Sequence, residues 1–207
     1  RDFVTNSDKK VEQILIKELS KKKFSVISEE VGTIIKEDKN NYWIIDPIDG
    51  TINFLHGIPH FCISLAYINN NEIISGVIYD PIKNEIFYGE KNSGSFFNNQ
   101  RMRVSKKNKF EDCLFGSNLE SLNIESPELN SRVSGSAALD LAYVACGRLD
   151  GFYQKNLNIW DVAAGVLIIT EAGGKISPVD EKKIKNHSII ASSEIIYKDL
   201  NNLLINF

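Results

Sequence analysis

The stretch Trp43-Ile44-Ile45-Asp46-Pro47-Ile48-Asp49-Gly50-Thr51-Ile52-Asn53-Phe54 organises the chain. Its first three residues are apolar and rich in β-branching, which predicts a short buried strand over residues 43–45. Pro47 has no N–H to donate, so we expect the strand pairing to end there. Asp49 follows Asp46 by three residues, so a tight turn would bring both carboxylates to one side. An Asp-rich β-turn without a further role remains the alternative, because Asp, Pro and Gly are ordinary turn residues.

The end of this stretch is suited to an anion. Gly50 lets the backbone approach a ligand closely, and Thr51 offers a hydroxyl and a backbone N–H. At the start of a short helix these N–H groups would hold a phosphate. Two carboxylates beside a Gly-Thr turn therefore suggest a cation held against an anion.

Composition excludes several classes of protein. The chain has 207 residues, 43% of them hydrophobic and 25% charged, which suits one domain of two packed layers or two small lobes. A net charge of −3 argues against nucleic acid as a partner, since that footprint requires a basic surplus. We find no apolar run long enough to span a bilayer and no secretory segment.

The three cysteines indicate the cellular compartment. Cys62, Cys113 and Cys146 lie in apolar stretches, and none forms a C-x-x-C pair. An odd number at such positions fits buried, reduced thiols, which predicts a cytoplasmic protein. The sequence begins with Arg1 rather than Met, so we expect a fragment or a processed chain.

Hydrophobic periodicity predicts alternating helices and strands. Helices are predicted over residues 9–22, 137–146, 162–172 and 194–204. Strands are predicted over residues 24–27, 61–68, 72–79, 85–88, 94–97, 112–117, 149–153, 175–177 and 188–191, the middle ones forming an antiparallel meander. Residues 118–130 are interpreted as a loop, and the basic residues of 101–109 as a solvated face. This mixture predicts a layered α/β or α+β fold.

Four acids share one kind of position in this pattern. Glu29, Asp46, Asp49 and Asp161 each lie at a strand end or a helix start, bordered by Gly, Pro or Trp. Such a cluster would repel itself unless a divalent cation were bound. Oxygen ligands favour Mg²⁺, with Mn²⁺ or Ca²⁺ possible. Zinc is disfavoured, because the histidines do not gather around the acids: His56 and His60 are interpreted as loop residues and His187 as a surface residue.

A carboxylate site with several metal ions is typical of phosphoryl chemistry, where the ions activate a water and clamp the attacking and leaving oxygens. Each motif alone remains open to a simpler interpretation. The adjacent pair Glu29 and Glu30, for example, could be two solvated charges at a strand end.

Together, the motifs resemble the inositol monophosphatase family of Mg²⁺-dependent, lithium-sensitive phosphatases. The blocks that carry the resemblance occur in the family's order: Asp2-Phe3-Val4-Thr5-Asn6-Ser7-Asp8 with Val11-Glu12, Ser28-Glu29-Glu30, the stretch from Trp43 to Phe54, and Trp160-Asp161-Val162-Ala163-Ala164-Gly165 ending in Glu171-Ala172-Gly173-Gly174. They extend from the start of the chain to near its end, which makes chance agreement improbable.

The resemblance implies a set of metal ligands. Glu29, Asp46 and the carbonyl of Ile48 would bind a first ion. Asp46, Asp49 and Asp161 would bind a second, and Glu29 would help to hold a third. The expected cofactor is therefore two to three Mg²⁺ ions, or Mn²⁺ in their place.

The resemblance also implies catalytic and substrate-binding residues. Thr51, supported by Asp8, would position the attacking water beside Glu29, and the backbone of Gly50 and Thr51 would hold the phosphate. Glu30 would support the metal ligands from behind. The alcohol part of the substrate would face Asp49, Gly135, Ser136, Ala137 and Asp161.

The chain departs from the family pattern at four places. The family's longer N-terminal helix is missing, and the segment 118–130 is shorter than usual. Gln154 replaces an acidic residue that contacts substrate hydroxyls in relatives, which leaves the substrate preference open. Ser28 replaces the common Gly before the Glu pair, an exchange that we expect to be harmless.

The implied fold is a layered αβαβα sandwich of the inositol monophosphatase and fructose-1,6-bisphosphatase type, shortened at its N-terminus. We expect residues 1–207 to form a single catalytic unit with a metal-binding lobe (1–115) and a second lobe that carries Asp161 (116–207). The resemblance also implies a homodimer.

The default substrate is myo-inositol-1-phosphate, since Ile52-Asn53-Phe54 resembles the inositol phosphatase members. Histidinol phosphate and fructose-1,6-bisphosphate remain alternatives. A regulatory binding protein is the other possibility, although such a protein has no physical reason to keep four acids that repel one another.

Overall fold

The computed structural model describes residues 6–19, 24–118, 129–180 and 183–204. The start of the family-like opening block, residues 2–5, lies outside the described residues. So do residues 119–128, most of the predicted loop over 118–130.

The first helix, α1, spans Asn6–Leu19 and confirms the helix predicted over 9–22 apart from its bounds. Its buried residues are not the apolar ones: Asp8 and Glu12 are buried, whereas Ile14 is 56% exposed. Hydrophobic periodicity therefore located the helix, whereas the side chains that the fold encloses are acidic ones. The enclosed pair points toward the end of the first strand.

An eight-stranded sheet follows, and it contains the predicted meander. In chain order its strands are β1 (Phe24–Ser28), β2 (Gly32–Ile34), β3 (Asp38–Asp49), β4 (Cys62–Asn69), β5 (Glu72–Asp80), β6 (Glu85–Glu90), β7 (Gly94–Phe97) and β8 (Gln100–Arg101). Their spatial order is β2-β1-β3-β4-β5-β6-β7-β8. β1 and β3 are parallel, so both strands end at the same edge of the sheet.

The strand that carries Asp46 is longer than predicted, and the expectation that pairing ends at Pro47 is wrong. β3 runs through the proline to Asp49, which pairs with Cys62 after an irregularity in register between Asp46 and Asp49. The proline falls in this irregular segment, where its missing N–H costs no ladder hydrogen bond. A short helix, α2 (Thr51–Leu55), follows at once.

A five-stranded sheet forms the second half. Its strands are β9 (Leu114–Ser117), β10 (Asn130–Arg132), β11 (Gly151–Leu157), β12 (Gly174–Ile176) and β13 (His187–Ser193), in the spatial order β10-β9-β11-β13-β12. The short strand β10 was not predicted. The helices of this half are α3 (Ala137–Ala145), α4 (Ile159–Glu171) and α5 (Glu194–Leu203), and all three confirm predicted helices.

The elements stack in five layers. α3 and α4 contact each other and lie between the two sheets, α1 covers β1 and β3, and α5 covers β12 and β13. One cluster of buried apolar residues runs from the large sheet through α3 and α4 to the small sheet. The predicted αβαβα sandwich is therefore confirmed. The division into lobes at residues 115 and 116 stays a prediction, since this shared core joins both sheets.

The interpretation of His187 as a surface residue is wrong. Its side chain is only 5% exposed, and its Nε2 lies 2.7 Å from the carbonyl oxygen of Lys183. The polar neighbourhood in the sequence suggested solvent, but the residue begins β13, where the sheet encloses it. All three cysteines are free, with Cys62 and Cys113 buried and Cys146 half-buried. No helix of the described part has the length and apolar character needed to cross a membrane.

Candidate metal centre

Two of the four acids come from the irregular end of β3. Asp46 is buried, and its Oδ1 accepts a hydrogen bond of 3.1 Å from the N–H of Ile48. The extra backbone between Asp46 and Asp49 turns both carboxyl groups to the same side, as the three-residue spacing predicted. The strand end therefore presents a pair of acids whose backbone is fixed by its own hydrogen bonds.

The third acid arrives from far along the chain. Asp161 lies in the first turn of α4, and its Oδ2 accepts a hydrogen bond of 2.7 Å from the N–H of Asn158. Asp46, Asp49 and Asp161 each offer a carboxylate oxygen, and these oxygens lie within 4.8 Å of one another. Three hard oxygen donors so close together fit a divalent cation such as Mg²⁺ or Mn²⁺.

Glu29 stands beside this triad, directly after β1. Its N–H donates to the carbonyl of Ile45 over 3.3 Å, and its carboxyl interacts electrostatically with that of Asp46. Burial and the charge of Glu30 raise its pKa to about 7. The parallel pairing of β1 and β3 thus brings Glu29 to the edge of the sheet that carries Asp46.

The electrostatics of the cluster call for a cation. Burial, followed by the charges of Asp49 and Glu29, raises the pKa of Asp46 well above its usual range. Desolvation and the charge of Asp49 do the same for the pKa of Asp161. Burial also raises the pKa of Asp49, although hydrogen bonds from Ser136 and Ala138 oppose this. Carboxyl groups that resist ionisation for these reasons gain most from a bound divalent ion.

Asp49 also ties the centre to α3. Its Oδ2 accepts hydrogen bonds from the hydroxyl of Ser136 (2.5 Å) and the N–H of Ala138 (2.8 Å), and the Cys62 thiol lies 3.7 Å away. The carboxylate thereby sits at the N-terminus of a helix, where negative charge is stabilised. The predicted substrate residues Gly135, Ser136 and Ala137 are brought to the centre by these contacts.

α2 begins at the same place. Gly50 precedes it with a φ of 97°, and the Thr51 hydroxyl donates to the carbonyl of Ile48 over 3.0 Å. The first N–H groups of a helix have no partner within it, which suits the predicted phosphate contact. Thr51 and the predicted ligand carbonyl of Ile48 are therefore neighbours. The catalytic roles of Thr51 and Asp8 stay predictions.

Two connecting residues escaped the sequence interpretation. Asn53 donates through Nδ2 to the carbonyls of His60 (2.8 Å) and Ser134 (2.9 Å), which joins α2 to the loop before α3. Glu12 is the other, and its Oε1 accepts hydrogen bonds from residues on both sides of Glu29. Its place four residues after Asp8 on α1 was the available signal, because residues i and i+4 share a helix face. By contrast, Gln154 pairs with Ile189 inside the small sheet, and its contact with substrate remains a prediction.

The description of the inositol monophosphatase family matches residues 1–206. The chain belongs to this family. The predicted resemblance is thereby confirmed over the whole length that the match covers.

Relatives of this family member carry several names. An inositol-1-monophosphatase of Mesorhizobium japonicum is 41% identical over 96% of this chain and 81% of its own length. A fructose-1,6-bisphosphatase/inositol-1-monophosphatase of Thermotoga maritima is also 41% identical, over 97% of this chain and 81% of its own. The crystal structure of the extragenic suppressor protein suhB from Bartonella henselae superposes with a TM-score of 0.92, at 44% identity over 98% of this chain and 84% of that one.

A substitution at Gly135 tests the junction between α2 and the loop before α3. Gly135 has a φ of 87°, and a Cβ there would lie 2.8 Å from Nδ2 of Asn53. We expect Gly135→Ala to lower the free energy of unfolding by about 1 to 3 kcal/mol, since strain and contact add. Gly173→Ala is the control, because its φ is 83° but nothing lies within 4 Å of its Cβ position. Equal losses in urea unfolding of both variants would mean that the Asn53 contact contributes nothing.

Proposed function

We propose that this chain is a Mg²⁺-dependent phosphatase that hydrolyses a small polyol or sugar phosphate monoester, with myo-inositol-1-phosphate as the first candidate. The observation that carries the proposal is the convergence of carboxylate oxygens of Asp46, Asp49 and Asp161 within 4.8 Å of one another, with Glu29 beside Asp46. Membership of the inositol monophosphatase family supports the same reaction. A protein that only bound a partner would gain nothing from keeping this mutual repulsion.

Each acid has a proposed place in the centre. Glu29, Asp46 and the carbonyl of Ile48 hold one ion, and Asp46, Asp49 and Asp161 hold a second. Glu29 also contributes to a third. Bound Mg²⁺ supplies a lower pKa for the attacking water and charge neutralisation for the phosphate. Glu30, adjacent to Glu29, is assigned the role of supporting the metal ligands without binding an ion itself.

The chain's own residues orient the reactants. The N–H groups of Gly50 and Thr51 at the start of α2 hold the phosphate, and the Thr51 hydroxyl, with Asp8, positions water beside Glu29. That hydroxyl already lies next to the carbonyl of Ile48, which supports its place at the reacting phosphate. In-line attack then needs the alcohol to leave on the opposite side, toward the loop before α3.

Substrate hydroxyls are assigned to Gly135, Ser136 and Ala137, together with Asp49 and Asp161. The hydrogen bond from Ser136 to Asp49 supports this placement, because it couples the loop to the metal centre. Gln154 is the proposed determinant of preference. A neutral amide there accepts a wider range of hydroxyl arrangements than a carboxylate, because it can donate as well as accept hydrogen bonds.

A phosphate-release screen tests the proposal. With Mg²⁺ we expect hydrolysis of myo-inositol-1-phosphate and inhibition by millimolar Li⁺. The panel includes histidinol phosphate, fructose-1,6-bisphosphate and nucleotide phosphates, and it is read as k_cat/K_M for each compound. Absence of turnover on every phosphate monoester, with metal binding demonstrated by calorimetry, would contradict the enzyme assignment.

Two alternatives have support from the comparisons. The Thermotoga maritima relative is named for fructose-1,6-bisphosphate as well as inositol-1-phosphate, which makes a bisphosphate the second substrate candidate. The Bartonella henselae structure is named an extragenic suppressor, which keeps a regulatory binding role as the second function. In the substrate screen, a preference for fructose-1,6-bisphosphate would favour the first alternative. A complete lack of turnover would favour the regulatory binding role.

Two further features belong to the proposal. A homodimer is the proposed assembly, on the strength of the family resemblance, and sedimentation measures it directly. A cytoplasmic location is supported by the three free cysteines, which fit a reducing compartment.

A further inference from the structure

A buried acid behind the metal centre has no role in the function proposed so far. Glu12 lies on α1, one turn after Asp8, and its side chain is only 1% exposed. Acidic side chains are almost never fully buried without partners, because the loss of hydration is costly. Its partners therefore indicate what it does.

The partners of Glu12 surround one residue. Its Oε1 accepts hydrogen bonds from the hydroxyl of Ser28, from the N–H of Glu30 (3.3 Å) and from the N–H of Val31 (3.2 Å). Ser28 precedes Glu29, and the other two donors follow it. One carboxylate oxygen thus binds the residue before Glu29 through its hydroxyl and the two residues after it through their backbone N–H groups.

Glu29 is held from the opposite side as well. Its N–H donates to the carbonyl of Ile45 on β3 over 3.3 Å. The backbone of Glu29 is therefore clamped between the β3 edge and Glu12. A clamp of this kind fixes the direction of a side chain, since it removes backbone freedom at the turn.

We propose that Glu12 is a positioning residue that fixes the turn bearing Glu29 and thereby sets the cation affinity of the centre. The inference rests on the proposed role of Glu29 as a metal ligand. Glu12 acts through hydrogen bonds to the turn and does not itself contact substrate or cation.

Ser28 contributes a side-chain donor to this arrangement. Its hydroxyl is fully buried and supplies one of the three donors to Glu12. Without that hydroxyl, only the backbone N–H groups of Glu30 and Val31 would remain as donors.

The test measures Mn²⁺ binding by electron paramagnetic resonance and turnover separately. For Glu12→Ala we expect the Mn²⁺ dissociation constant to rise by about 10- to 100-fold and k_cat to fall similarly, the range typical of lost outer-sphere partners. K_M for the phosphate monoester should change by less than about threefold, because ground-state substrate binding is not altered. Glu29→Gln serves as the reference for loss of the ligand itself.

Two milder variants keep the test informative if Glu12→Ala does not fold. Glu12→Gln retains an acceptor oxygen in place, so we expect it to bind Mn²⁺ within about threefold of the parent protein. Ser28→Ala removes one donor, so its Mn²⁺ affinity should fall by about 2- to 10-fold, the equivalent of one hydrogen bond. Circular dichroism establishes that each variant is folded.

A buried acid elsewhere provides the matched control. Asp150 is 2% exposed and accepts hydrogen bonds from Ser105, Lys107 and the N–H of Leu114. Asp150→Asn should destabilise the fold while the Mn²⁺ affinity stays unchanged. If Asp150→Asn loses as much Mn²⁺ affinity as Glu12→Ala, the loss in Glu12→Ala is explained by general destabilisation of the fold.

Two results would overturn the inference. One is an Mn²⁺ affinity equal to that of the parent protein in Ser28→Ala and in every Glu12 variant that folds. The other is equal weakening by Glu12→Gln and Glu12→Ala, which would assign the effect to charge rather than to position. The proposed phosphatase activity can fail separately. If the parent protein shows no turnover but the Glu12 variants still bind Mn²⁺ more weakly than the parent, the activity is contradicted and the positioning role is kept.

Discussion

Replacing Asp46 by Asn is expected to abolish turnover and, in the metal-free protein, to increase stability. The loss of activity should exceed the roughly 100-fold typical of outer-sphere partners, because a ligand shared by two proposed ions loses its charge. Asn keeps an oxygen that can accept the N–H of Ile48, so the turn is retained. The measurement is k_cat with saturating Mg²⁺, together with the Mg²⁺ dissociation constant by calorimetry.

The gain in stability has the same physical origin as the loss of activity. Burial and the neighbouring charges of Asp49 and Glu29 raise the pKa of Asp46, so its ionised form is unfavourable in the folded state. A neutral Asn removes that penalty, and each pKa unit of relief corresponds to about 1.4 kcal/mol. Urea unfolding at pH 8 in the presence of a chelator measures the gain.

Asp80→Asn is the control for this experiment. Asp80 is also buried, but it accepts hydrogen bonds from Ile82 and Lys83, and it pairs with the Lys83 ammonium over 2.5 Å. We expect this variant to lose stability and to keep its affinity for Mg²⁺. Unchanged kinetics in Asp46→Asn would show that Asp46 does not bridge the ions.

The metal-free protein should become less stable as the pH rises from about 4.5 to about 7, whereas most proteins are near their optimum there. In this window the folded state keeps a proton on Glu29, whose pKa is raised from 4.5 to about 7, and the unfolded state has lost it. The folded state therefore binds more protons than the unfolded state, so stability falls with pH. Glu29 alone contributes about 3 kcal/mol across the window.

Mg²⁺ should reverse this behaviour. A cation stabilises the ionised carboxylates, so its contribution to stability grows with pH. Calorimetric unfolding curves with a chelator and with excess Mg²⁺ are expected to diverge progressively above pH 5. Metal-free stability that stays level or rises between pH 4.5 and 7 would contradict the pKa assignment.

Asp140 provides a control that distinguishes the pH dependence of stability caused by the proposed metal ligands from that caused by other buried acids. Burial raises its pKa to about 8, so it adds to the fall in stability with pH. It lies outside the group of acids that converge, and burial is the largest cause of its raised pKa, ahead of the charge of Asp49, so most of the slope it contributes should persist when Mg²⁺ is present. Asp140→Asn should therefore reduce the slope both with and without Mg²⁺, whereas Glu29→Gln should reduce it only in the metal-free protein.

The local sequence pattern determined that α1 forms, and the tertiary context determined which of its sides faces inward. The 3.6-residue periodicity is a property of the helix itself, so it predicted that a helix forms there. Which side faces inward depends on what the helix meets. α1 meets the carboxyl end of β1, whose turn supplies N–H donors, and this makes the burial of Glu12 favourable while Ile14 stays exposed.

The strand that carries the acids shows a second such limit. Apolar β-branched residues correctly predicted a strand before Asp46, but Pro47 was expected to end it. A proline excludes one hydrogen bond, and whether that ends a strand depends on the partner strand. β4 resumes pairing at Asp49, which only the assembled sheet could determine.

The sequence by itself determined three features: the blocks typical of the family, the helices predicted from hydrophobic periodicity, and the candidate ligands Glu29, Asp46, Asp49 and Asp161. These follow from local composition, because residue type and spacing are written in the chain. Only the tertiary structure decided that the ends of β1 and β3 meet the start of α4 at one point, where distant carboxyl groups come close enough to repel one another. It also decided that Glu12 lies behind Glu29, because this contact joins a helix to a strand end that local spacing does not relate.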